Sequence, residues 1–508
     1  MTPTEEIYQH ALEFERLKAQ QQLTAEAATT LSLRAAELIL AHYRSAGGCL
    51  RQAVTLLCQL ATDDDAEISR AGITGIFPAL IERLNDSFDP MASGLYDQVM
   101  SQIIEFCRRL PEGMALDEAL CRFDLWDEAG LLARKTRISH PQSRLPDPAS
   151  FPAVKKVLLL SRVTIGADVS ITSAILAKLL EVLPQAEFVF LGSRKLRELY
   201  GGDPQIRVRE IAYERGGNLL TRLLSWLDVL RAVEEECREH VEDEIWVIDP
   251  DSRLTQLGFL PLIYQDCNYF FFESRGYQPE SSGSLGQLAA EWIGQIVGNT
   301  NPAFPFVSLP TKHSELGKTV AAAIRNPIVA LSFGVGGNHS KRISDEFEAR
   351  LVQALLADSK LILDKGATVE EREQINRIIA RLRAQGKIVI EINEGNQSEI
   401  VKRDLSEADV VTWDGSIGAF AGLIAASDEY IGYDSAGQHI AAALGVPALT
   451  VFVNANSTTF ARRWHPFGKG KIEVIQVEAT EVTDQPDYAA AVLARVLRAR
   501  KPPKLIEE

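Results

Sequence analysis

No two cysteines in this sequence are spaced to bind a metal or form a redox pair. The six present (Cys49, Cys58, Cys107, Cys121, Cys237 and Cys267) are scattered and read as buried thiols of a reducing compartment. HExxH and GxSxG patterns are missing, so no zinc hydrolase or nucleophile-elbow chemistry is indicated and no metal requirement is visible. Basic residues do not dominate: 53 Lys and Arg stand against 69 Asp and Glu, a net charge of −16. That balance excludes general affinity for nucleic acid, and an anionic substrate needs a local basic pocket. No apolar run approaches the length of a membrane span, and Met1-Thr-Pro-Thr-Glu-Glu lacks the basic and apolar regions of a signal peptide. These absences point to the cytoplasm.

What is present is an ordinary globular composition, 46% hydrophobic and 24% charged over 508 residues, enough for roughly two to four domains. Residues 1–137 read as helices throughout, with apolar spacing at Ile73, Ile76, Leu80, Ile81 and Leu84 and again at Val99, Ile103 and Ile104. A bundle is the plain reading of this region, and a partner-docking module the sharper one. A proline-rich linker follows over 138–153. Strands then alternate with helices over 154–300 and 312–500, separated by a second proline-rich stretch. Expected strands include Lys156–Ser161, Glu187–Leu191, Glu244–Ile248, Pro327–Phe333, Lys360–Leu363 and Lys387–Ile392. Leu219–Val233 is expected as one helix, and Thr368 with Glu371 as a capping box. The fold class is therefore α/β in two Rossmann-like halves, preceded by an all-α region.

One stretch organises the chemistry. Tyr430–Tyr433 reads as a strand, Asp434-Ser435 as a polar break, and Ala436–Leu444 as a small-residue helix stopped by Gly445 and Pro447. Ser435 with Gln438 has capping-box spacing. The free N–H groups of such a helix start suit an anion, and His439, one turn in, can reach it. An ordinary capped βαβ element, with His439 packed in the core, is the alternative. Two other loops contribute. Asp168, between a strand and a helix, is either a general base or that helix's N-cap. Gly334, Gly336 and Gly337 permit close backbone approach ahead of Lys341 and Arg342, which suits a phosphate, although neither a P-loop nor a full GxGxxG is present.

Asp434-Ser-Ala-Gly-Gln-His-Ile-Ala-Ala-Ala-Leu-Gly-Val-Pro447 resembles the D-[ST]-G-x-x-H-x-A-A-A-x-G-x-P signature of glycosyltransferase family 9, the ADP-heptose:lipopolysaccharide heptosyltransferases and relatives. Lys156 to Val169 resembles the family's opening strand and S-x-G-D-V loop, and Gly337–Arg342 its stretch ending in Lys-Arg. The resemblance spans about 154–500. It implies a GT-B fold and a metal-independent, inverting transferase with no cofactor, whose substrate is a nucleotide-diphospho-sugar, an ADP-sugar above all. It further implies Asp168 as the base, Lys341 as the group stabilising the leaving diphosphate, and Asp434, Ser435, Ala436, Gly437, His439, Gly336 and Gly337 around the donor. The implied acceptor is a glycan or lipid-linked glycan in lipopolysaccharide biosynthesis, met in the cytoplasm or peripherally at the inner membrane. A C-terminal basic cluster (Arg495, Arg498, Arg500, Lys501, Lys504) is either a lipid contact or a solvated helix end. The sequence departs from the family pattern at Ala167 and Ala436, where glycine is usual. Those two methyl groups motivate the alternative of a non-catalytic binding or assembly protein using residues 1–137.

Overall fold

The structure, a computed structural model, describes residues 2–139, 145–213, 216–277, 282–324, 327–397, 404–455, 457–478 and 488–500. Residues 140–144 of the expected linker, and Lys501 and Lys504, lie outside that description. Among the described residues the chain is all-helical up to Ser139, and twelve strands follow. These are β1 (Lys156–Leu160), β2 (Glu187–Gly192), β3 (Ile206–Glu210), β4 (Ile245–Asp249), β5 (Tyr269–Phe271), β6 (Ile328–Ser332), β7 (Lys360–Asp364), β8 (Val389–Asn393), β9 (Val410–Asp414), β10 (Glu429–Tyr433), β11 (Ala448–Val453) and β12 (Ile472–Val477). They form two sheets, ordered β3-β2-β1-β4-β5 and β12-β11-β10-β6-β7-β9-β8. β1 pairs in parallel with β4 and β4 with β5, and every neighbouring pair of the second sheet is parallel. Near-continuous apolar strands such as β1 and β11, buried along their whole length, are what a parallel sheet covered on both faces demands.

The chain divides into two compact units, residues 1–163, 191–193 and 209–282, and residues 164–190, 194–208 and 283–508. These boundaries differ from the four segments expected from composition. In the first unit the helices and the strands β1, β4 and β5 belong together. The physical link is a clamp. Gln256, Leu257 and Gly258 are three consecutive residues in the left-handed region (φ 50, 58 and 87), which is strained for the first two. Their carbonyls accept from helix side chains: Tyr96 Oη at 3.4 Å, Lys135 Nζ at 2.9 Å and Arg134 Nη1 at 2.7 Å, respectively. Lys135 also lies 3.8 Å from the centroid of Phe271.

Several local expectations change. Leu219–Val233 is two helices, 219–224 and 226–237. The helical stretch through Ile73 and Leu84 contains a π turn at Gly75–Ile81, which absorbs Pro78 inside the run. β3, β9 and β12 are strands beyond those expected from the sequence. All six cysteines are free, but only Cys58 and Cys107 are buried, and Cys267 is exposed in a short turn at 266–268. No described helix is long and apolar enough to cross a membrane. Arg500 is neither solvated nor a lipid contact. It is buried, and its guanidinium binds Glu429 and Asp358, each at 2.7 Å, and Ser359 at 2.5 Å.

Candidate functional site

In the second sheet β6 is followed by β7 on one side, while β10 lies on the other, so strand order reverses between β6 and β10. Ligands of open parallel sheets bind outside the carboxyl ends of strands at such a point. The two loops that leave β6 and β10 there are the glycine-rich loop and Asp434-Ser435. They are joined by an ion pair: Lys341 Nζ donates to Asp434 Oδ2 at 2.6 Å. The other carboxylate oxygen accepts from Gln438 Nε2 at 2.8 Å.

The capping box expected at Ser435 and Gln438 does not form. Ser435 is the N-cap residue, but its side chain makes no capping bond, and Gln438 turns to Asp434 instead. The same amide nitrogen lies 3.3 Å from His439 Nε2. His439 is buried, and burial pushes its pKa down to about 4, with Asp434 opposing the shift and Lys341 and His465 adding to it. The imidazole is therefore neutral at pH 7, and it meets Trp464 edge-on at 6.3 Å. Lys341 in turn stands 6.0 Å above Phe460, whose ring is 6.4 Å from Trp464. Lys341, Asp434, Gln438, His439, Trp464 and Phe460 thus close a ring of neighbours. The two aromatic residues went unmarked in the sequence, where nothing distinguishes them from core positions.

The glycines divide by cause. Gly336 and Gly337 have φ of +63 and +84 with open space where a Cβ would stand, so they are needed for backbone conformation. Gly437 is needed for space: a Cβ there would lie 2.1 Å from the hydroxyl of Tyr430. Its smallness serves the sheet. Gly445 ends the helix in the left-handed conformation (φ 75), as expected. Gly336 does not offer its N–H to a ligand, because that group and the N–H of Val335 donate to Glu371 Oε1 at 3.2 and 2.9 Å.

Asp168 is not an N-cap. The helical run begins at Ile165, after Thr164, and Asp168 follows as the first residue of a π turn, Asp168–Thr172, that leads into Ser173–Val182. Its own N–H bonds to the carbonyl of Thr164 at 3.0 Å. The carboxylate is buried, and Oδ1 accepts from Thr172 Oγ1 at 3.2 Å. π turns within helices are frequent at functional positions. The preceding residues pack on helix Ala436–Leu444: a Cβ on Gly166 would lie 3.3 Å from both Ala436 Cα and His439 Cδ2. The structure therefore brings Asp168's segment, Ala436, His439, Asp434 and Lys341 into one neighbourhood of the second unit.

Residues 378–486 match the family model described as glycosyltransferase family 9 (heptosyltransferase). The matched segment contains Asp434 to His439 and excludes Asp168 and Lys341. Comparison with curated proteins finds no match. Among solved structures, the chain is similar to E. coli ADP-heptose lipopolysaccharide heptosyltransferase II at 15% identity, covering 68% of this chain and 98% of that one, with a TM-score of 0.45. E. coli heptosyltransferase WaaC with ADP aligns at 16% identity over 68% and 100%, TM-score 0.45. A family 9 glycosyltransferase from Veillonella parvula aligns at 13% over 70% and 90%, TM-score 0.45.

Proposed function

We propose that the protein is an inverting, metal-independent GT-B glycosyltransferase that moves a heptose or related sugar from a nucleotide-diphosphate donor, favouring ADP, to a glycan or glycolipid. The observation that carries this reading is the Lys341–Asp434 pair at the strand reversal of a sheet that lies partly within the family 9 match. In the proposed reaction Asp168 takes the proton of the acceptor hydroxyl, whose oxygen bonds to the anomeric carbon from the face opposite the leaving group. The bond from that carbon to the diphosphate oxygen breaks, and the electron pair leaves with the diphosphate. Lys341 and the N-terminus of Ala436–Leu444 stabilise the departing charge, in place of a metal. Asp434 holds the sugar. In this reading residues 154–300 serve the acceptor, 312–500 the donor and 1–137 a protein partner, and the reaction takes place in the cytoplasm at the inner leaflet.

A donor panel of ADP-heptose, ADP-hexoses and UDP-hexoses tests the reading by thermal shift and hydrolysis. An ADP-sugar is expected to raise the melting temperature of the full chain. Asp168→Asn should keep that shift and lose about 10²–10⁴-fold in turnover. Failure of every donor to bind or react would end the proposal. A non-catalytic binding protein is the second reading. It is favoured by the burial of Asp168 and by the N–H groups of Val335 and Gly336 already having a partner. Unchanged donor turnover in Asp168→Asn would remove the base without deciding for that reading, whereas donor binding with no turnover in the native chain would decide for it.

A further inference from the structure

Two loops at the carboxyl edge of the second sheet converge on one side chain. From the loop after β6, Val335 and Gly336 donate their N–H groups to Glu371 Oε1 at 2.9 and 3.2 Å. From the loop after β7, Ala367 and Thr368 donate theirs to Oε2 at 2.8 and 3.1 Å. Four backbone donors around one carboxylate make an anion nest. The backbone is shaped for it: Gly366 has φ +80, and a Cβ there would stand 2.7 Å from the Glu371 side chain. Thr368 accepts the N–H of Glu371 at 3.2 Å, completing the capping box expected from the sequence. A capping box accounts for Thr368 alone. The reach to Val335 and Gly336, on a different loop, is beyond what a helix start requires.

The other end of the β6 loop is anchored as well. Arg342 donates to both oxygens of Glu348, at 2.9 and 3.0 Å, and to Asp345 at 2.7 Å. Gly337 and Lys341 lie between these anchors. Burial pushes the Glu371 carboxyl up, but its four backbone bonds outweigh burial and hold it below the usual carboxylate range. It is thus an anion at neutral pH, and a phosphate cannot share the same donors while it is in place.

We infer that Glu371 is a positioning residue, a resident anion that fills the glycine loop's nest and so presents Lys341 to a diphosphate at the start of helix Ala436–Leu444. The glycine loop then shapes the site without itself holding the phosphate. The functional half of this inference rests on the donor reading proposed above.

The test uses the full chain with E371A and E371Q, measuring ADP affinity by calorimetry and melting temperature in sodium formate against sodium chloride at equal ionic strength. E371A is expected to bind ADP about tenfold more weakly. Formate, a carboxylate small enough for the vacated nest, should recover part of the affinity and raise the melting temperature of E371A while leaving the native chain unmoved. E371Q, whose amide can accept from one loop but not both, should fall between, and carries the measurement if E371A does not fold. Unchanged ADP affinity in folded variants, or a lowered melting temperature that formate does not restore, would overturn the inference. If the native chain binds no ADP, the donor reading fails on its own, and the formate response of E371A still decides whether the nest exists.

Discussion

Each of the two sheets has a point where its strand order reverses, β1/β4 in the first and β6/β10 in the second, and each of these carries a cation–carboxylate pair, yet the pairs are built in opposite ways. In the first sheet, between β1 and β4, Arg162 faces Asp251 at 3.7 Å with side chains 5% and 3% exposed. Ser274 donates to Asp251 at 2.5 Å, Arg275 binds it too, and Arg162 is further tied to the carbonyl of Pro250 at 2.5 Å. Val163 and Asp251 sit at φ 74 and 66, left-handed positions tolerated because the surroundings fix them. In the second sheet Lys341 and Asp434 are closer, 2.6 Å, but 29% and 10% exposed, with Gln438 as a further polar partner of the carboxylate. A charged pair at a strand reversal is therefore not evidence of a site by itself. What separates the two is saturation: the first pair is enclosed by its own network, and the second keeps a partly exposed lysine.

The comparison can be broken most directly at Asp251. Asp251→Ala leaves Arg162 and Arg275 without their carboxylate in a buried setting, and should cost about 3–5 kcal/mol in urea unfolding. Burial raises the Asp251 carboxyl, but Arg275, Arg162 and Lys135 outweigh it, so the folded value lies below 3.8. Its contribution is thus present above about pH 4 and lost as pH falls through the depressed folded value. A loss under about 1 kcal/mol would show that the network is not structural.

A middle effect is expected from His439. Its folded pKa of about 4 lies below the ordinary 6.5, so the native state resists protonation. The stability this neutral ring preserves is complete above about pH 6.5 and falls away toward about pH 4, by about 3 kcal/mol in total. His439→Gln should flatten the pH dependence of the urea midpoint over that window; equal slopes in native and variant chains would sink the assignment.

The smallest change in stability is expected at Lys341, where the pair is partly solvated. Lys341→Met should shift unfolding by less than about 1 kcal/mol while weakening ADP binding. A loss as large as that at Asp251 would erase the distinction between the two pairs.

Much of this was legible in the chain. Tyr430–Phe452 reads as strand, helix, stop and strand because each signal is local: the apolar run, the polar break, and a glycine that must be left-handed at position 445. The Thr368–Glu371 box is local for the same reason. The Ser435–Gln438 box has the same spacing and did not form, because Asp434, immediately before it, offers Gln438 a charged acceptor. Asp168 reads equally well as cap or base from its neighbours; the helix start at Ile165 removes the cap. Gly437 is room for Tyr430, a residue seven positions away that only the sheet brings under the helix.

Preferences local to the chain settled the periodicity of the elements, the all-α start, the alternation that produces parallel sheets, and the loop residues that stand at strand ends. These depend on steric and hydrogen-bonding effects acting over a few residues. Which loops meet was left to the folded arrangement. It paired Lys341 with Asp434 across 93 positions, gave the N–H groups of Val335 and Gly336 to Glu371, and placed a neutral His439 against Trp464. Those outcomes turn on burial and on competition among donors and acceptors, and neither quantity exists until strands distant in the chain lie side by side.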